Sequence, residues 1–310
     1  QNSIDFIVLG EGEYAVLEIV KELEKSKQDF SKIRGIIYKQ KGKWKNNPPR
    51  EFLKNLDQLP FPDRELFDLY KYNFGMLTRF FKPQLPLISS RSCPYQCANC
   101  QPALKKISGN FRQRSVENVV AELKFLINKY GYRKFIFNDN DISVNRHWLE
   151  NLCHSLLDEK LNIEWGSNVR ANTMDEQIMK LLRKSGFKMF FMGVESGSQE
   201  VIDKILTKGI SLDKVREVVD TAKKVGIRPE CSFMIGIPGE TKEQMLSTVK
   251  LASSLKCYIA FICPVVPYPE TRYEKILQDN GWLLSSSHLD YGNGINMKFK
   301  TDKWDREFLE

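Results

Sequence analysis

Leu85-Pro86-Leu87-Ile88-Ser89-Ser90-Arg91-Ser92-Cys93-Pro94-Tyr95-Gln96-Cys97-Ala98-Asn99-Cys100 is the stretch on which the fold turns. It opens as a short apolar run, Leu85–Ser90, that reads as a buried strand. The strand passes directly into a loop that offers Cys93, Cys97 and Cys100 at intervals of four and three residues. Three thiolates from one loop can each hold one iron of a cubane and leave the fourth iron open to another ligand. Structural zinc is the competing occupant, and it takes four Cys or His ligands. No fourth such residue lies near the trio, since the next are His147 and Cys153.

Downstream of the loop, strand and helix patterns alternate. Strands are read at 134–138, 163–169, 188–194, 228–235 and 258–263. Helical periodicity falls between them at 116–130, 146–160, 175–185, 212–225 and 242–255, with a further helix near 199–205. Such alternation implies parallel strands joined by right-handed crossovers. Six units fit a partial (βα)6 TIM-like barrel, an α/β fold whose site lies on loops at the strand C-termini. The expected barrel spans 85–275. Ahead of it, a strand at 4–9, a Gly10-Glu11-Gly12-Glu13 turn, a helix at 14–25 and a strand at 33–39 form a separate piece over 1–50. Gly42 is expected to lead that last strand into a basic loop. The proline-rich Leu56-Asp57-Gln58-Leu59-Pro60-Phe61-Pro62-Asp63 cannot continue a helix or a central strand, so 51–84 reads as a linker. Residues 276–310 read as the start of a C-terminal extension.

The 310 residues are 42% hydrophobic and 28% charged, which is ordinary for a globular protein, and no apolar run is long enough to span a bilayer as a helix. The chain begins with Gln1 and carries no basic-then-apolar leader, so its start is expected to be a cut end, as is its end within a helix-like charged pattern. The formal net charge is +8, but the Lys and Arg residues are scattered along helical stretches without a compact basic stripe, so nucleic acid is not the expected partner. Seven cysteines in a chain of this length do not make a secreted disulfide scaffold. A reducing, cytoplasmic location with one metal site fits better.

Other candidate residues sit at strand ends. Arg170 closes the third strand, where its guanidinium can fork onto a carboxylate. Glu195, in Gly193-Val194-Glu195-Ser196-Gly197, follows a buried apolar strand and is costly there unless paired. The fifth strand runs through Ile235 and Gly236 into Ile237-Pro238-Gly239-Glu240-Thr241, with Thr241 a helix N-cap.

The cysteine spacing in the first βα loop, with the GVESG and PGET elements, resembles the radical S-adenosylmethionine superfamily over roughly residues 85–275. The resemblance implies a 4Fe-4S cluster on Cys93, Cys97 and Cys100. It also implies one-electron cleavage of S-adenosylmethionine to a 5′-deoxyadenosyl radical, with flavodoxin or ferredoxin as a reducing partner. Cofactor contacts are then implied at Tyr95 and Asn99 in the cluster loop and at Asp139 and Asn140 for the ammonium group. Arg170, Glu195 and Ser196, with adenine-facing backbone at Ile235 and Gly236, complete the implied set. Asn99 stands where the family usually has an aromatic residue, Ser92 where it has glycine, and Asn140 where close relatives carry a second Asp. Residues 264–271 resemble the closing stretch of the family, with Glu270 in place of glycine.

The GEGE turn and the Leu-x-x-Leu-Pro-x-Pro-Asp linker resemble the branch that carries a cobalamin-binding domain ahead of the barrel. That branch acts on small molecules by methyl transfer or ring formation on unactivated centres. Residues 1–50 resemble the last strand, helix and hairpin of its Rossmann-like domain. The Asp-x-His-x-x-Gly cobalamin signature is absent, as no His precedes His147. Two other readings compete. A methylthiotransferase acting on RNA or protein would carry further cysteines before the trio, and none precedes Cys93. A zinc-stabilised nucleic-acid-binding module rests on basic charge alone.

Overall fold

The computed structural model describes residues 3–67, 84–101, 104–284, 299–304 and 308. Parts of the expected linker and of the C-terminal extension lie outside the described residues.

The N-terminal unit comprises β1 (Phe6–Val8), α1 (Glu13–Leu23), β2 (Ile36–Gln40) and β3 (Lys43–Asn46), with the strands antiparallel in the order β1-β2-β3. Ala15 and Ile19 on α1 pack with Ile33, Ile36 and Tyr38 into a small core. The expected basic loop after Gly42 is instead strand β3. Lys41 and Gly42 both take positive φ, as a tight two-residue hairpin requires. All four β3 residues are exposed, so no apolar alternation marks the strand in sequence.

The described part of the expected linker meets α3 (Val116–Tyr130). The Asp57 carboxylate accepts from the Ser115 amide at 3.0 Å, and Arg64, 8% exposed, pairs with Glu122 of α3 at 2.9 Å. Glu122 also accepts from Arg114 at 2.6 Å, so a nearly buried carboxylate is shared by two guanidinium groups.

The main sheet holds six parallel strands. They are β4 (Leu85–Leu87), β7 (Lys134–Phe137), β8 (Glu164–Asn168), β9 (Phe187–Glu195), β10 (Arg228–Ile235) and β11 (Ile259–Pro264), and neighbours in the sheet are neighbours in the chain. Among the described residues β4 and β11 do not pair, so the barrel is open on one side. The first expected strand, 85–90, is shorter and divided. Ser90–Arg91 forms β5, which turns away to pair antiparallel with β6 (Arg112–Gln113), and the loop between them carries the thiols and α2 (Lys105–Ser108).

Helices α4 (Arg146–Asp158), α5 (Glu176–Lys184), α6 (Leu212–Val225), α7 (Lys242–Ser254) and α8 (Arg272–Asp279) follow the later strands, and α8 straddles the expected barrel end at residue 275. Side chains of Ser115, Asn145, Asp175, Ser211, Thr241 and Thr271 each cap one helix by accepting from the amide three residues on. Alternate strand residues face the helices, where Phe137, Trp165 and Phe187 meet edge to face at 5.3 and 4.6 Å. The other set faces the lumen, where Gly166 has no room for a side chain: a Cβ there would lie 2.7 Å from the Met189 side chain. Among the described residues no helix is long and apolar enough to cross a membrane.

Candidate active site

The thiol loop is held at both ends. Ser92, directly before Cys93, adopts φ +69°, and its hydroxyl donates to the Gly109 carbonyl at 2.8 Å. Asn140 donates from its side chain to the Ser92 carbonyl at 3.1 Å. At the far end the Ala98 amide donates to the Leu206 carbonyl at 2.9 Å, and the Thr207 hydroxyl donates to the Gln96 carbonyl at 3.3 Å. Leu206 and Thr207 directly follow a single π-helical turn, Val201–Ile205, a distortion that recurs at functional sites.

Cys93, Cys97 and Cys100 are unbridged and half-buried. Burial pushes the Cys93 thiol up to about 11, and the charge of Asp141 and the other two thiols add to the rise. Among the described residues no trio of Cys, His, Asp or Glu gathers closely enough to hold a single metal ion. Three thiolates from one loop match three irons of a cubane, whereas structural zinc takes four ligands. The Arg170 guanidinium lies 3.8 Å from the Cys97 sulfur, a cation placed where thiolates would hold negative charge. The donor set therefore fits the cluster.

Three further groups ring the same mouth. Arg170 places its guanidinium carbon 3.9 Å from the centre of the Tyr95 ring, and its buried Nε has no partner among the described residues. Glu195 ends β9 at φ +74°, and its carboxylate accepts from Lys208 at 2.7 Å. Gly193 makes room for this pair, since a Cβ there would lie 2.2 Å from the Glu195 carboxylate and 2.6 Å from the Lys208 amine. Asp141, 5% exposed, binds the Ser143 amide at 2.9 Å through Oδ1, while its buried Oδ2 lacks a partner among the described residues. Burial raises the Asp141 pKa against the bonds from Ser143 and the nearby charges of Arg170 and Lys208.

The expected site residues divide accordingly. Tyr95, Arg170 and Glu195 line the mouth with the thiols, and Asn99 reaches the Met234 sulfur of β10 at 3.5 Å. Asp139 instead turns inward: it is fully buried and accepts from the Ser89 amide and hydroxyl at 3.2 and 2.9 Å and from the Ser90 hydroxyl. Ser196 is likewise fully buried, and its hydroxyl accepts from the Ser198 amide at 3.1 Å. Asn140 braces the loop backbone. Ile235 ends β10 half-buried, and the Gly236 amide meets the Met245 sulfur at 3.3 Å. Sequence reading missed Asp141 and Lys208. Asp141 stands two residues beyond the expected acid in an irregular turn. Lys208 meets Glu195 across 13 residues of helix and turn.

The model of the Radical SAM superfamily matches residues 87–252, the part of the chain from the first barrel strand into α7. The chain belongs to the radical SAM superfamily. An uncharacterized methyltransferase of Pyrococcus horikoshii is 33% identical over 288 residues, covering 93% of this chain and 61% of the relative. The anaerobic magnesium-protoporphyrin IX monomethyl ester cyclase of Rubrivivax gelatinosus is 26% identical, with 98% of this chain and 54% of the relative covered. This radical SAM chain thus spans little more than half the length of those proteins. Its fold is similar to that of the methyltransferase TsrM from Kitasatospora setae, solved with cobalamin and a 4Fe-4S cluster bound. The TM-score is 0.71 at 17% identity, over 89% of this chain and 54% of that one.

Proposed function

We propose that this chain is the catalytic part of an enzyme that reductively cleaves S-adenosylmethionine for methyl transfer or ring formation on an unactivated carbon of a small molecule. The observation that carries the reading is the convergence of three half-buried thiols with Arg170, Asp141 and the Glu195–Lys208 pair at one barrel mouth. Cys93, Cys97 and Cys100 would hold the cluster, which when bound supplies the electron that cleaves the sulfonium and yields a 5′-deoxyadenosyl radical. Asp141, whose buried Oδ2 has no partner among the described residues, would accept hydrogen bonds from the ammonium group of the cofactor. Arg170 forks onto its carboxylate while Tyr95 supports the guanidinium from one face. Glu195, steadied by Lys208, accepts from the ribose hydroxyls. Asp139 and Ser196 hold the surrounding turns in place.

Cobalamin belongs to the same reading as a second cofactor, with residues 1–50 the end of its binding domain and 51–84 the tether to the barrel. A groove of about 980 Å³ between the N-terminal unit and the barrel, lined by Tyr14 and Leu17 of α1, Phe61 of the tether and Ile88 of the barrel, supports it. Flavodoxin or ferredoxin in the cytoplasm would supply the electron.

Anaerobic reconstitution tests the reading. Wild-type protein is expected to turn brown, bind about four irons per chain without stoichiometric zinc, and form 5′-deoxyadenosine on reduction. Cys97→Ala should lose both the cluster and the product. Retained cleavage by that variant, or stoichiometric zinc in the wild type, defeats the assignment.

A further inference from the structure

We infer that Glu11 is a positioning residue for the cluster loop, acting from outside the barrel through two arginines. This rests on the proposed cluster chemistry and gives a role to the GEGE turn. The Glu11 Oε1 atom accepts from Arg91 at 2.9 Å and from Arg112 at 2.7 Å, and its Oε2 accepts from the Leu53 amide at 2.7 Å. Arg91 lies in β5 and Arg112 in β6, the two strands that open and close the segment bearing the thiols. One carboxylate of the N-terminal unit therefore clamps both ends of the loop, and Cys93 stands two residues beyond Arg91.

The clamp is reinforced on each side. Arg91 also donates to Glu13, the second acid of the turn. Arg112 donates to the carbonyls of Leu53 and Ser108 at 2.9 and 2.7 Å, and its guanidinium lies 5.3 Å from the centre of the Phe52 ring. Phe52 in turn presses on Gly109, where a Cβ would come within 2.8 Å of the ring, and the Gly109 carbonyl receives the Ser92 hydroxyl. The chain of contacts thus ends on the residue preceding Cys93.

Charge makes Glu11 more than a tether. Its side chain is 16% exposed, and those of Arg112 and Arg91 are 10% and 27% exposed, so these charge-assisted bonds are only partly screened. Burial works against ionisation of Glu11, but the bonds from Arg91, Leu53 and Arg112 outweigh it and hold the carboxyl below its ordinary value. Without the carboxylate two guanidinium groups that share one oxygen would face each other and drive β5 from β6. The thiol spacing would then depend on the remaining contacts of the loop, those of Ser92, Asn140, Leu206 and Thr207 among them.

Hydrogen exchange on the cluster-free protein tests this independently of catalysis. In Glu11→Ala, amides between residues 90 and 113 should exchange roughly ten-fold faster while β8 to β10 remain protected. Glu11→Asp should restore much of the protection, and Glu11→Gln, which keeps the shape without the charge, should restore little. In reconstituted protein, Glu11→Ala should release iron to a chelator several-fold faster than wild type and shift the electron paramagnetic resonance signal of the reduced cluster. Unchanged exchange over 90–113, or faster exchange confined to residues 5–25, overturns the inference and leaves Glu11 a link between units. If Glu11→Ala does not fold, the Gln and Asp variants carry the comparison. Failure of the wild type to bind iron would count against the proposed function, while the exchange result would still decide the clamp.

Discussion

Arg170 lies over Tyr95, with its guanidinium carbon 3.9 Å from the ring centre and one nitrogen 3.8 Å from the sulfur of Cys97. The ring lies within the cysteine loop, and the arginine stands two residues beyond the third strand of the sheet. Their contact joins the part of the molecule that would hold iron to the part that would hold the cofactor. A planar cation stacks and forks in a way that a point charge cannot.

Arg170→Lys is therefore expected to retain the cluster but to weaken S-adenosylmethionine binding by roughly ten-fold. Anaerobic equilibrium dialysis against the reconstituted variant measures it. Equal affinities would remove Arg170 from the cofactor site.

Gly193→Ala addresses the facing wall. The added methyl would occupy space filled by the Glu195–Lys208 pair, so the pair must part or the strand must shift. Cofactor affinity should fall by roughly ten-fold or more while iron content holds. An ion pair left intact, with unchanged binding, would show that the mouth accommodates the methyl.

The Glu122 carboxylate joins the tether to the barrel. Removing it in Glu122→Ala leaves Arg64 and Arg114 buried without their shared partner, at a cost of about 3 to 5 kcal/mol. A fall of that size in the denaturant unfolding free energy is expected, with protease cleavage appearing over 56–66. A loss under about 1 kcal/mol would mean that water replaces the acid.

Glu240 sets a pH dependence. Burial raises its carboxyl from 4.5 to about 7, against bonds from Ile237, Gly236 and Ser196. The folded protein then holds this proton where the unfolded chain releases it. Stability from this group is full below about pH 4.5 and declines as pH rises toward 7, by at most on the order of 3 kcal/mol. Glu240→Gln should flatten that decline in urea titrations at several pH values. A variant whose midpoint falls as steeply as wild type would contradict the shift.

The barrel was legible because its signals are local. Apolar runs between helices placed β7 to β11 within a residue or two, and Thr241 caps its helix as its sequence context suggests. The exposed hairpin strand β3 apart, the misreadings share one cause, which is contact between distant segments. Ile88 to Ser90 read as continuing the first strand, but β5 is drawn aside by β6, more than twenty residues later. The prolines around Phe61 read as a free tether, though Arg64 finds a buried acid on α3. Asp139 and Asp141 are chemically alike in sequence. Ser89 and Ser90 claim the first, and the turn of the chain leaves the second facing the mouth.

The hold on Gln96 by Thr207 joins residues 111 positions apart. During synthesis the cysteines leave the ribosome long before the segment that braces them. A chain halted before the π-turn would present its thiols on a loop with no far wall. A cluster seated on these thiols would be walled on its far side only once four staves of the barrel are laid.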